Sequence, residues 1–147
     1  MYVWRFKQFK AWTGRKAIDD WRRRLSPARR AALDSFLDRI AKMQAWPLGI
    51  CDPIKKHAGC WELRWTAEKV EHRIFGYFGG DKEFVMVIGC THKGRIYDPP
   101  EAFDTLNDRK DKIATGEGEL DSYELWTTPT DEGEGVPPWG GQLPNRD

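Results

Sequence analysis

The 147 residues suffice for one domain with a buried core and are too few for two of ordinary size. Charged residues make up 32%, no run of about 18 apolar residues exists, and Arg5 and Lys7 interrupt the apolar start, all of which argues against a membrane span or signal peptide and for a soluble cytoplasmic protein. The formal net charge of +1 hides an opposition: residues 1–113 hold 23 Lys and Arg against 15 Asp and Glu, a formal +8, whereas residues 114–147 hold Arg146 alone against eight acids, a formal −7.

Tyr2 to Phe9 opens with Tyr2, Trp4 and Phe6 alternating against Val3, Arg5 and Lys7, the pattern of a strand. Ile18, Trp21 and Leu25 then fall at i, i+3, i+7, and Ser26-Pro27 supplies an N-cap with proline at the first position of a second helix. Leu33, Phe36, Leu37, Ile40 and Met43 continue that helix until Trp46-Pro47-Leu48-Gly49 ends it, which predicts a helical hairpin with basic outer faces. The arginine runs 22–24 and 29–30 read as solvated charge on that hairpin.

Beyond Asp52-Pro53, Trp61, Leu63 and Trp65 alternate against Cys60, Glu62 and Arg64, so a half-buried strand carries Glu62 and Arg64 on one face. Residues 72–78 and 83–90 read as two more strands joined by a turn at Gly79-Gly80-Asp81-Lys82, giving a small antiparallel meander. Asp98-Pro99-Pro100 is expected to open a short helix with Phe103, Leu106 and Ile113 on one side. From residue 114 onward Gly, Pro, Thr and acids dominate, and the stretch reads as a flexible or extended acidic tail behind a domain at residues 1–113. The expected architecture is α+β: an N-terminal strand and a helical hairpin packed on one face of a small antiparallel sheet, a short C-terminal helix, and the other sheet face free.

On that free face the strands would gather Arg64, Arg73 or its neighbour His72, and the loop Thr91-His92-Lys93-Gly94-Arg95, with Lys55, Lys56 and His57 just before the first meander strand. Converging cations without a Gly-rich phosphate loop or a nucleophile triad favour RNA as the partner. Cys51, Cys60 and Cys90 are odd in number and lack a CxxC, so they read as reduced thiols. With His57, His72 and His92 they match no standard zinc spacing, and neither metal nor other cofactor is expected. RNA can be cut without a metal if one group takes the 2′-OH proton, fixed cations stabilise the phosphorane and an acid protonates the leaving 5′ oxygen.

The stretches Gly59-Cys60-Trp61-Glu62-Leu63-Arg64, His72-Arg73-Ile74-Phe75 and Ile88-Gly89-Cys90-Thr91-His92-Lys93, followed by Pro99 and Ala102, resemble the phage-derived Gp49-like branch of the RelE/HigB toxin superfamily over residues 4–113. The resemblance implies a RelE-like fold and a ribosome-dependent mRNA endonuclease, the toxin of a type II toxin-antitoxin pair, with mRNA on the ribosome as substrate and a cognate antitoxin as partner. It implies Arg64 at the scissile phosphate, Arg73 on nearby backbone, and His92 and Lys93 where the family usually has two lysines. Lys55, Lys56, His57 and Arg95 would then hold RNA, with Tyr97 stacking near a base. Cys90 departs from the family's usual aromatic. The alternative is a catalytically silent phage-type protein of that fold which binds and inhibits a host protein or nucleic acid. The acidic tail favours this alternative, or a tail that lies across the basic face and blocks it.

Overall fold

The computed structural model describes residues 1–126. In chain order these form β1 (Arg5–Ala11), α1 (Ala17–Arg24), α2 (Pro27–Ala41), β2 (Cys51–Pro53), β3 (Trp61–Ala67), β4 (Val70–Gly80), β5 (Glu83–Lys93), β6 (Ile96–Asp98), α3 (Ala102–Thr115) and β7 (Gly118–Tyr123). No helix among them is long and apolar enough to cross a membrane.

Local chemistry sets several boundaries. The Ser26 hydroxyl accepts from the Arg29 backbone N–H at 3.3 Å and Pro27 occupies the first turn of α2, the expected cap. α3 starts later than the Asp98-Pro99-Pro100 signal implied. Asp98 pairs with Thr91 as part of β6, and Glu101 precedes the helix without a side-chain cap bond.

The α+β class stands, but the expected small antiparallel sheet is overturned: the sheet has seven strands and is mixed. Its order is β2-β3-β4-β5-β1-β7, with β6 along the far end of β5. β1 lies parallel to β5, from Arg5 beside Glu83 to Gln8 beside Met86, an arrangement that the α1–α2 excursion permits because parallel neighbours need a crossover. On its other side β1 takes β7 as an antiparallel partner, from Phe6 beside Tyr123 to Ala11 beside Gly118. The ordered sheet therefore runs past residue 113. Gly116, with φ 84°, ends α3 in the left-handed conformation and turns the chain into β7. Residues 127–147, most of the expected tail with its blocking role, lie outside the described residues.

Both faces of the sheet are covered, although one only in part. Ile18, Trp21, Leu33, Phe36, Leu37 and Ile40 of α1 and α2 pack against Leu63, Trp65, Ile74, Phe84 and Met86. On the opposite face Ala102 and Leu106 of α3 cover Phe75, Val85, Val87, Ile88 and Cys90. The expectation of one wholly free face is thus corrected, because α3 is amphipathic and buries its stripe there. What α3 leaves open is the end of that face formed by β3, β4 and the β5–β6 hairpin.

Arg22 departs from the solvated run. Its side chain is 7% exposed and forms a two-point pair with Asp34 of α2, Nε to Oδ1 at 2.8 Å and Nη2 to Oδ2 at 2.7 Å. It also lies 3.9 Å from the Trp126 ring centroid. Removing the acid would leave a buried guanidinium without its charge partner, so Asp34→Ala is expected to cost about 3–5 kcal/mol in urea unfolding. A loss below about 1 kcal/mol would show that the pair is screened as surface pairs are.

Candidate active site

The two-residue turn at Glu68-Lys69, with φ 53° and 65°, folds β3 onto β4 so that Arg64 stands directly opposite Arg73. Like charges facing one another across a strand pair repel, and acids beside them resolve it. Glu71 reaches both guanidiniums, 2.8 Å to Arg73 Nη2 and 3.5 Å to Arg64 Nη2. Glu62 also reaches both, 3.2 Å to Arg73 Nη1 and 3.8 Å to Arg64 Nη1. Asp52 of β2 adds a third acid at 3.2 Å from Arg64 Nη1. The result is an alternating ring of two arginines and two glutamates on the open end of the α3 face.

β5 brings the rest. Between Phe75 beside Ile88 and Gly76 beside Met86 the register shifts, and Val87 bulges out of the pairing. The extra residue resets the alternation of β5. Phe84 and Met86 face α1 and α2, whereas Val87, Ile88 and Cys90 face α3. His92, two residues on, consequently shares the face of Arg73, and its Nδ1 lies 3.6 Å from Glu71 Oε1. The imidazole stacks on Tyr97 of β6 at 4.2 Å, and the Tyr97 hydroxyl accepts from Arg73 Nη1 at 3.1 Å. Tyr97 meets Phe103 of α3 edge-on at 5.1 Å, and His57 stacks on the same Phe103 at 4.8 Å. Rings therefore run from His92 through Tyr97 and Phe103 to His57, with Arg73 alongside.

The environment divides the acids. Burial raises the Glu62 carboxyl above the ordinary glutamate value, against the pull of Arg73 and Arg64. At Glu71 burial acts the same way, but the Arg73 hydrogen bond and the charges of Arg73 and Arg64 outweigh it, so this carboxyl is held below the ordinary value and stays ionised. Burial raises the Tyr97 phenol despite the nearby Arg73, which keeps its proton in place.

Of the residues expected at the site, Arg64, Arg73, His92, Tyr97 and His57 are brought to this face. Lys93 follows His92 on β5 and by alternation projects to the other face, while Arg95 is exposed in the β5–β6 turn. Lys55 and Lys56 are exposed in the loop after β2. Among the described residues none of these four cations forms an ion pair, and they flank the cluster rather than join it. His72, weighed as an alternative to Arg73, belongs to the opposite face and is fully buried against Trp65 and Trp21. Cys51, Cys60 and Cys90 are buried free thiols, and burial pushes Cys90 up to about 12. The place of Asp52 beside Arg64, the stacking of Phe103 on the site's rings and the bridging of both arginines by Glu71 are not legible in the sequence. The last follows once β3 and β4 are folded about Glu68-Lys69.

His72 has a separate consequence. Its Nδ1 lies 3.0 Å from the Val70 carbonyl, which can only accept, so that nitrogen carries the hydrogen. Nε2 is buried without a partner among the described residues. Burial lowers its pKa below 6.5, against the Val70 hydrogen bond and with help from Arg29. The unfolded chain then binds this proton more readily, so stability should fall as pH drops below the ordinary histidine value. Urea midpoints are expected to fall from about pH 7 to about pH 5, and His72→Gln to flatten that slope. An unchanged slope in the variant would count against it.

Compared with models of known protein families, with curated proteins and with solved structures, the chain matches none.

Proposed function

We propose that the open end of the α3 face cleaves RNA without a metal, by attack of a ribose 2′ oxygen on the adjacent phosphate. The observation that supports this most is the contact of His92 with the ionised Glu71 beside the Arg73–Tyr97 hydrogen bond. Imidazole exchanges protons near neutral pH, and a carboxylate behind one ring nitrogen orients the other toward substrate. His92 takes the 2′-OH proton as the 2′ oxygen bonds to phosphorus. Arg73 and Arg64 stabilise the phosphorane, and the P–O5′ bond breaks to leave a 2′,3′-cyclic phosphate and a 5′ hydroxyl. In this reading the Tyr97 phenol, held at its hydroxyl by Arg73 and kept neutral by burial, gives its proton to the leaving O5′.

The rings from His92 to His57 offer bases a stacking surface, and the exposed Lys55, Lys56, Lys93 and Arg95 suit phosphate backbone. The resemblance in residues 59–64, 72–75 and 88–93 extends the proposal to mRNA on the ribosome and to an antitoxin that neutralises the protein. One observation favours the silent binder instead. Arg64 and Arg73 face three acids, Asp52, Glu62 and Glu71, which weakens the pull of the free site on a phosphate.

Induced expression of the full chain in bacteria, beside Arg64→Ala and His92→Ala/Lys93→Ala, separates the readings. Growth arrest with new 5′ hydroxyl mRNA ends, lost in both variants, is expected. Growth arrest without new mRNA ends, or no arrest by the intact chain, would favour the binder.

A further inference from the structure

A cavity of about 300 Å³ opens between α1 and α3 where Ile88 and Gly89 of β5 form its floor. Arg109 of α3 lies half-buried in it. Its Nη1 donates to the Val87 carbonyl at 2.9 Å and its guanidinium carbon sits 5.2 Å from the Phe9 ring centroid. Among the described residues it has no carboxylate within ion-pair distance. Burial of this charge is unfavourable, and its pKa is lowered for that reason. Three more cations line the cavity, Arg15, Lys16 and Arg24, against a single acid, Asp20. Asp20 holds Arg15 Nη2 at 2.9 Å and Arg24 Nη1 at 2.8 Å, which fixes both guanidiniums at the rim. Lys16 is engaged by Asp121 of β7.

A partly desolvated guanidinium with donors still unused, ringed by an excess of positive charge, is complementary to a compact dianion. The walls supplied by Phe9, Trp21, Ile88 and Pro99 limit water and strengthen any charge interaction inside. We propose that this cleft binds a phosphate group, with Arg109 as the inner fork and Arg15 and Arg24 as cations at its rim. The volume accommodates a phosphate with part of its ribose, at the lower end of small-ligand sites. The site shares no residue with the His92–Arg73 cluster and does not depend on RNA cleavage there.

The test is a titration of the full chain with inorganic phosphate at constant ionic strength, read by thermal unfolding and by side-chain NMR of the arginine guanidiniums. Phosphate should stabilise the protein more than an equal ionic strength of chloride, and shift the Arg109 Nε signal. Arg15→Gln/Arg24→Gln should weaken half-saturation at least about tenfold, as expected when charge-assisted contacts are removed. Arg109→Lys, which keeps charge but loses the fork, should do the same. The control Arg39→Gln/Lys42→Gln removes equal charge from the end of α2 and should bind like wild type. Competition by a 5′ hydroxyl oligonucleotide would assign the phosphate to an RNA backbone, and competition by a mononucleotide alone to a free phosphate. No preference over chloride, or equal weakening in the control, overturns the site.

Discussion

Arg73→Gln is expected to cost about 3 kcal/mol of stability and to cut RNA cleavage by about 10²–10³-fold. Arg73 is 12% exposed at its side chain and satisfies Glu62 and Glu71 together, so its removal strands two carboxylates rather than one. Glu62 is the more exposed to this change in energy, because burial already raises its carboxyl and Arg64, at 3.8 Å, is a poor substitute partner. The sign of the pH dependence follows. A carboxyl raised in the folded state is bound more tightly to its proton there than in the unfolded chain, so the variant should gain stability as pH falls toward the ordinary value of 4.5. In wild type Arg73 holds the Glu62 carboxyl down, so the same gain is smaller, and the depressed Glu71 carboxyl keeps its stabilising contribution until pH falls below 4.5. The gap between the two proteins therefore narrows from neutral to acid pH. Glu62→Gln added to Arg73→Gln should recover part of the lost stability and none of the activity, since the phosphate would still lack its cation. If the double variant is as unstable as the sum of the singles, the two side chains are not coupled through the ring.

Much of this arrangement was legible in the residues. Apolar spacing at Ile18 and Trp21, and at Leu33, Phe36 and Ile40, points to the two helices α1 and α2, and Ser26-Pro27 to the start of the second. The alternation of Trp61 to Trp65 placed Glu62 and Arg64 together, and their face is the one that carries the cluster. Strand partners were not legible, because periodicity reports which face a strand buries and says nothing of its neighbour. Thus the alternation from Tyr2 to Phe9 points to a strand, which the structure has at Arg5–Ala11, while its parallel place beside β5 and its pairing with β7 depend on contacts across most of the chain. β7 itself, Gly118 to Tyr123, is an acidic stretch of modest hydrophobicity whose strand state comes from the edge that β1 offers it. The three-residue strands β2 and β6 are too short for a periodic signal, yet they supply Asp52 and Tyr97.

The position of His92 was the least legible of all, and it leads to the second large effect. Strict alternation from Phe84 would turn residues 86, 88, 90 and 92 toward α1 and α2, away from Arg73; the bulge at Val87 reverses this. Gly76 stands opposite that irregularity. A Cβ built there would lie 1.9 Å from the Val85 carbonyl oxygen and 2.9 Å from the Phe84 ring, and a backbone atom cannot step aside as a flexible side chain can. An isolated glycine within a strand is the residue-level sign of such close approach. Gly76→Ala is accordingly expected to cost about 3 kcal/mol or more in urea unfolding, the upper range for overpacking, because relief requires β4 to separate from β5. Gly80→Ala, whose Cβ would meet nothing within 4 Å, should stay within about 0.5 kcal/mol and serves as the control. The two halves of β5 should respond differently. Amide exchange is expected to quicken from Gly76 to Phe78 and along Val85 to Ile88, and RNA cleavage to fall with it, since Glu71 meets His92 only while the bulge holds its register. A Gly76→Ala protein as stable as wild type, with His92 still beside Glu71, would mean that the bulge can form without the close approach.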